Sequence, residues 1–148
     1  MRIAVAYSTK EGLKKEFNNV LWEFSDSEDE PPPVDFFAEG DSPATIGAVV
    51  DGLRECGHDI FGLEADDDAS GKLRRISPDI VFNIAEGLLG DFRESYIPMI
   101  CERARIPYTG SAPLTLALCL NKSRCKEILS FHRIPTPTFT LVGAESIG

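Results

Sequence analysis

Residues 79–111 read DIVFNIAEGLLGDFRESYIPMICERARIPYTGS. Ile80-Val81-Phe82 is a short β-branched and aromatic run, the signature of a buried strand. The run stops at Asn83, and Glu86-Gly87 and Gly90-Asp91 follow within a few residues. Polar residues and glycines just past a strand's C-terminal end lie where open α/β sheets bind ligands. Ile97, Ile100, Cys101 and Ala104 recur at helical spacing and predict a helix from about Glu94 to Ala104. Ile106-Pro107-Tyr108 then predicts the next strand edge, and Thr109-Gly110-Ser111 closes the unit.

Upstream, Arg2–Tyr7 (RIAVAY) is a compact apolar strand suited to the centre of a parallel sheet. The loop after it, Ser8-Thr9-Lys10-Glu11-Gly12, lacks G-x-G-x-x-G, which argues against a dinucleotide pyrophosphate site. Leu13, Phe17, Leu21, Trp22 and Phe24 predict a short amphipathic helix. The acidic Ser25–Glu30 stretch and Pro31-Pro32-Pro33 cannot continue it, and Val34–Ala38 reads as a short extended segment. Residues 13–38 thus form an excursion whose aromatics pack on the same chain or offer a partner surface. Ser42 or Asp41 is the expected N-cap of a helix with Pro43 in its first turn. Ile46, Val49, Val50 and Leu53 make its stripe, and Gly57 ends it. Ile60–Leu63 is a second strand, and Ala69–Ile76 a helix stopped by Ser77-Pro78.

Downstream, Ala112-Pro113 starts a leucine-rich helix that runs on or breaks near Asn121. Lys122, Arg124, Cys125, Lys126, Ile128 and Leu129 follow as an amphipathic helix with a basic side. Ile134–Pro137 is extended, and Phe139–Val142 reads as a strand with no obvious partner. The alternation of strands and helices predicts an α/β fold, a parallel sheet flanked by helices on both faces.

A length of 148 residues with 43% hydrophobic content fits one domain with one core. The net charge of −9 repels phosphate backbones and disfavours nucleic acid as a partner. No apolar run approaches the roughly 20 residues that span a membrane, and MRIAVAYS is too short for a signal-peptide core. Cys56, Cys101, Cys119 and Cys125 show no zinc spacing and read as reduced, mostly buried thiols of a cytoplasmic protein. Cys56 with His58 makes only two metal donors. His58 and His132 lack partners at a recognisable catalytic spacing, so no catalytic residue and no metal ligand is assigned.

The pattern FNxxxG…G…IPYTGS, followed by LALxLNKxxCKxIL and IPTP, resembles the D-alanine–D-alanine ligases and related members of the ATP-grasp superfamily. The resembling segment runs from Asp79 to Thr140. Weaker likeness extends over Met1–Tyr7 and Ser42–Leu63, and residues 10–38 stay outside it. The resemblance implies a Rossmann-like pre-ATP-grasp substrate domain over residues 1–120, with 13–38 as an acidic, proline-rich insertion, and the start of an ATP-grasp central domain over 121–148. Such ligases are considerably longer, so it also implies an amino-terminal piece that does not complete a catalytic cycle alone. The glycine-rich hairpin begun at Phe139 and the metal ligands would lie further on.

The activity implied is ligation of a carboxylate to an amine through an acyl phosphate, with ATP and magnesium as cofactors and a small amino acid as substrate; related ligases also suggest a homodimer. Lys122 matches the lysine of the family's DK/NK motif, which approaches the ATP phosphates. Lys126 also matches a family lysine and reads more readily as solvated. Glu86-Gly87 stands where the ligases usually show His-Gly. A carboxylate there can pair with a substrate ammonium or with Arg93, but cannot act as a neutral histidine donor. That departure opens the substrate to other amino acids or peptides. Glu39 lies a residue or two out of register with the family glutamate that holds the first D-alanine's amino group. Glu86, Gly87 and Glu39 are therefore the expected substrate contacts, and Lys122 the ATP contact. A different class of reading is a complete small α/β binding module that uses residues 13–38 to meet a partner.

Overall fold

A computed structural model describes residues 1–24 and 35–142. Three parallel strands, β1 (Arg2–Tyr7), β2 (Asp59–Glu64) and β3 (Ile80–Asn83), form a sheet in the order β2-β1-β3. Ala4 lies opposite Phe61 and Val81, and Ala6 opposite Leu63 and Asn83. Successive side chains alternate between faces. On one face Ala4, Ala6, Leu63 and Val81 meet Ala69 and Leu73 of α3 (Ala69–Ile76) and Ile97, Ile100 and Cys101 of α4 (Tyr96–Ala104). The two alanines keep β1 thin there. On the other face Ile3 and Val5 are buried, as is Leu13 of α1 (Lys10–Phe24). Because β2 and β3 flank β1 on opposite sides, right-handed crossovers put α2 (Pro43–Glu55) and α3 on opposite faces. The expected α/β sheet covered on both faces is the observed one.

Element ends follow local chemistry. Ser42 caps α2 by accepting from the Thr45 N–H at 3.0 Å, with Pro43 at the first helical position. Thr9 Oγ1 accepts the Gly12 N–H at 2.9 Å, so α1 begins at Lys10 and the loop expected over residues 8–12 shrinks to Ser8-Thr9. The helix expected from Glu94 opens as a 3-10 turn, Arg93–Ser95, before α4. Ile106–Tyr108 contributes a single bridge, Tyr108 to Val81, since Pro107 has no N–H to extend the ladder. The leucine-rich helix does break at Asn121, giving α5 (Pro113–Leu120) and α6 (Lys122–Phe131).

Phe17, Phe36 and Phe37 meet in tilted and edge-to-face arrangements with ring centroids 5.0, 5.8 and 5.2 Å apart, so these aromatics pack on their own chain. Residues 35–39 form a turn closed by Ala38 N–H to Asp35 O at 2.8 Å, which corrects the extended segment expected there. Val34 and the acidic, proline-rich stretch lie outside the described residues.

The strand expected at Phe139–Val142 is absent. β propensity expresses itself only against a neighbouring strand, and this segment meets a helix instead. Lys126 Nζ donates to Thr136 Oγ1 at 3.2 Å and to Pro137 O at 2.8 Å, and lies 5.5 Å from the Phe139 ring centroid. Lys126 is therefore no solvated-face lysine but a clamp that holds the outgoing chain on α6.

The cysteines are all free, yet only Cys101 is buried; Cys56 and Cys119 are exposed and Cys125 partly so, against the expectation of mostly buried thiols. Helical position fixed their spacing but not which face they occupy. Burial pushes the Cys101 thiol up to about 11, leaving almost no thiolate near neutral pH. A chromogenic thiol reagent at pH 8 is expected to modify Cys56 and Cys119 at once and Cys101 only after denaturant is added. Mass mapping of Cys101 adducts in the native phase would contradict this core. No helix among the described residues is long and apolar enough to cross a membrane.

Candidate functional site

The strand order reverses between β1 and β3, because β2 lies to one side of β1 and β3 to the other. Open α/β sheets bind ligands in the crevice beyond the strand C-termini at such a switch point. Here the crevice floor is Ser8, just past β1. Ser8 is buried, and its Oγ accepts the Gly87 N–H at 3.2 Å. Its own N–H donates to Asp41 Oδ2 at 3.1 Å, and its carbonyl accepts the Asp41 N–H at 2.7 Å. One serine thus ties the loop after β3 to the segment entering α2.

Around this floor Glu86 lies within the electrostatic reach of Glu39, Glu94, Asp41 and Arg93, and Gly87 lies beside Arg93. Arg93 Nη2 donates to Glu39 Oε2 at 3.3 Å. Gly87 has φ of +72°, and a Cβ there would come within 3.1 Å of both Cβ and the carbonyl oxygen of Arg93. Only glycine fits both the backbone conformation and the space. Desolvation, and behind it the carboxylates of Glu39, Glu94 and Asp41, push the Glu86 carboxyl above its ordinary value against the pull of Arg93. Burial likewise raises Asp41, opposed by the Ser8 N–H.

Lys122 reaches the same place from the other end of the chain. Ser95 Oγ donates to Pro113 O at 2.8 Å, which seats α5 on the 3-10 turn. The break at Asn121 then delivers the start of α6 to the crevice, with Asn121 Oδ1 accepting the Arg124 N–H at 3.2 Å. A cavity of about 510 Å³ results, lined by Glu39, Asp91, Arg93, Glu94, Leu120, Asn121 and Lys122. Lys122 Nζ donates to Cys119 O at 2.9 Å. Glu39 and Lys122, 83 positions apart in sequence, share one cavity; Glu86 bears on it electrostatically, and Gly87 lies under Arg93.

Sequence reading missed Ser8, Asp41 and Arg93 as parts of this site. Ser42 takes the capping role at α2, and the Asp41 carboxylate instead accepts the Ser8 N–H. No three His, Cys, Asp or Glu side chains among the described residues are grouped to hold a metal ion.

Raising the Glu86 carboxyl above its unfolded-state value means that folding favours its protonated form. The associated stability is fully present below the ordinary glutamate range and is lost as pH rises through the folded-state value. Glu86→Gln is therefore expected to raise the thermal midpoint at pH 7, with the gap to the parent closing as the pH is lowered below about 4. Melting curves across that range check it; a gap that widens on acidification would contradict the crowding of carboxylates around Glu86.

No family model matches the chain. It is 33% identical to an uncharacterized protein, y4sG, of Sinorhizobium fredii across 99% of its own residues and 43% of that protein's. A D-alanine–D-alanine ligase of Cereibacter sphaeroides is 33% identical over 64% of the chain and 30% of the ligase. A D-alanine–D-alanine ligase of Moorella thermoacetica is 31% identical over 70% of the chain and 32% of the ligase. The chain spans less than half the length of these curated relatives. Over 64% to 70% of its residues it is thus a homologue of D-alanine–D-alanine ligases, matching 30% to 32% of their length.

Proposed function

We propose that this chain forms the substrate side of an ATP-dependent carboxylate–amine ligase of the D-alanine–D-alanine ligase kind. On this reading residues 1–120 are the pre-ATP-grasp substrate domain and residues 121–148 open the nucleotide-binding one. The supporting observation is the single cavity that gathers Glu39, Arg93 and Lys122 at the sheet's switch point. ATP, when bound with magnesium, supplies the phosphoryl group that activates the carboxylate. Lys122 places a cation at the first turn of α6, where helix polarity also favours phosphate oxygens. Glu94 lines the cavity and Glu86 lies within its electrostatic reach, carboxylates that can hold a substrate ammonium. Gly87 lets the loop backbone approach the ligand closely.

The 148-residue chain on its own is expected to show no ATP binding by calorimetry. A full-length protein carrying it is expected to release ADP only when an amino acid is supplied. No ADP release with D-alanine, other amino acids or dipeptides would overturn the ligase reading. Glu86 favours a second reading within the same chemistry, in which another amino acid or a peptide takes the place of D-alanine, and that substrate panel separates the two.

A further inference from the structure

We propose that Arg93 is the carboxylate anchor of this cavity, a binding residue for a substrate that carries a carboxylate and an ammonium together. The inference rests on the amino-acid ligase reading and names the group that would hold the substrate's anionic end.

The arginine side chain is 21% exposed, whereas that of Glu39, its partner, is 49% exposed. A guanidinium carries five N–H donors in a fixed fork. Among the described residues one of them meets an acceptor, at 3.3 Å, and the buried Nε meets none. A mostly buried arginine is ordinarily satisfied by several acceptors. Arg93 is therefore short of acceptors, and it is one of the residues that line the cavity.

Its position is fixed rather than incidental. The Cβ and carbonyl of Arg93 occupy the space that a side chain at position 87 would need, and Glu39 holds one corner of the fork from the opposite segment. A planar cation fixed in this way suits bidentate capture of a carboxylate, which a lysine does not reproduce.

The surrounding charge selects the ligand class. The cavity walls carry two cations, Arg93 and Lys122, and three carboxylates, Glu39, Asp91 and Glu94, with Glu86 close by. A lone anion meets Asp91, Glu94 and Glu86. A lone amine leaves the fork without its acceptor. A zwitterion answers both, with its carboxylate on Arg93 and its ammonium toward Glu86 and Glu94.

The test is a titration of the ¹⁵N-labelled 148-residue chain, read at the Arg93 Nε–Hε signal and the Gly87 amide. The probes are D-alanine, D-alaninamide (which keeps the ammonium and lacks the carboxylate), acetate and inorganic phosphate. D-Alanine is expected to move the Arg93 signal, acetate to move it at higher concentration, and D-alaninamide to leave it in place. Arg93→Gln is expected to weaken D-alanine binding at the Gly87 amide by about 10- to 100-fold, with Arg93→Lys in between. If Arg93→Gln does not fold, the carboxylate dependence in the parent spectrum decides alone. Equal effects of D-alanine and D-alaninamide, tighter binding of phosphate than of D-alanine, or no shift of Arg93 with any probe would overturn the assignment. The ligase reading fails separately: ADP release would be silent while the Arg93 signal still followed the carboxylate.

Discussion

Replacing Lys122 by methionine is expected to lower amino-acid-dependent ADP release by about 10²- to 10³-fold in a full-length protein carrying this chain, the usual loss when one positioned donor to developing charge is removed. Methionine keeps the length and apolar stem and deletes the charge. The effect on stability is expected to be small, because Lys122 is exposed and its Nζ has one partner among the described residues, the Cys119 carbonyl. Exposed substitutions of this kind stay within about 0.5 kcal/mol. Lys122→Arg is expected to fall between the two, since it restores charge with a different shape. The decisive comparison is kcat for ADP release against the thermal midpoint. A rate loss that follows a lowered midpoint would make Lys122 a structural residue, and an unchanged rate would remove it from the nucleotide's path.

The parts of the fold that were legible are those encoded by neighbours in sequence. RIAVAY and the Ile80-Val81-Phe82 run mark strands because both faces of a parallel sheet are buried. Ser42-Pro43 and Ser77-Pro78 mark helix ends because caps and prolines act within one turn. The parts that were not legible depend on partners far along the chain. Ser8 and Gly87 stand 79 positions apart, and nothing near Ser8 announces their hydrogen bond. From sequence Arg93 is a candidate partner for Glu86; its pairing with Glu39 arises because the α2 entry and the 3-10 turn meet over one strand end. Lys126 looked solvated because its acceptors, Thr136 and Pro137, lie beyond the helix that carries it. Phe139–Val142 has strand propensity, but among the described residues it joins no sheet edge. Residue type therefore located the crevice, while topology decided which charges face one another inside it.

Leu63→Ala is expected to destabilise the fold by about 2–5 kcal/mol, toward the upper end of that range. Leu63 is fully buried in β2, at 0% exposure, within the cluster that includes Ala4, Ala6, Ala69 and Leu73. Three of those neighbours are alanines, whose side chains have no torsion with which to swing into the vacated space. The cavity therefore persists instead of collapsing, and the lost contacts add to the lost transfer free energy. Against a typical stability of about 5–15 kcal/mol this is a large fraction, and it corresponds to a midpoint lowered by roughly 5–15 °C for a chain of this size. Leu114→Ala is the matched control: the same atoms are removed from a side chain that is 71% exposed on α5, so its expected effect stays within about 0.5 kcal/mol. Urea unfolding of the two variants measures the difference at equal chemistry. Equal losses would mean that β2 does not pack against α3 as described, and with it the placement of β1 between two partners, on which the switch-point crevice depends, would fall.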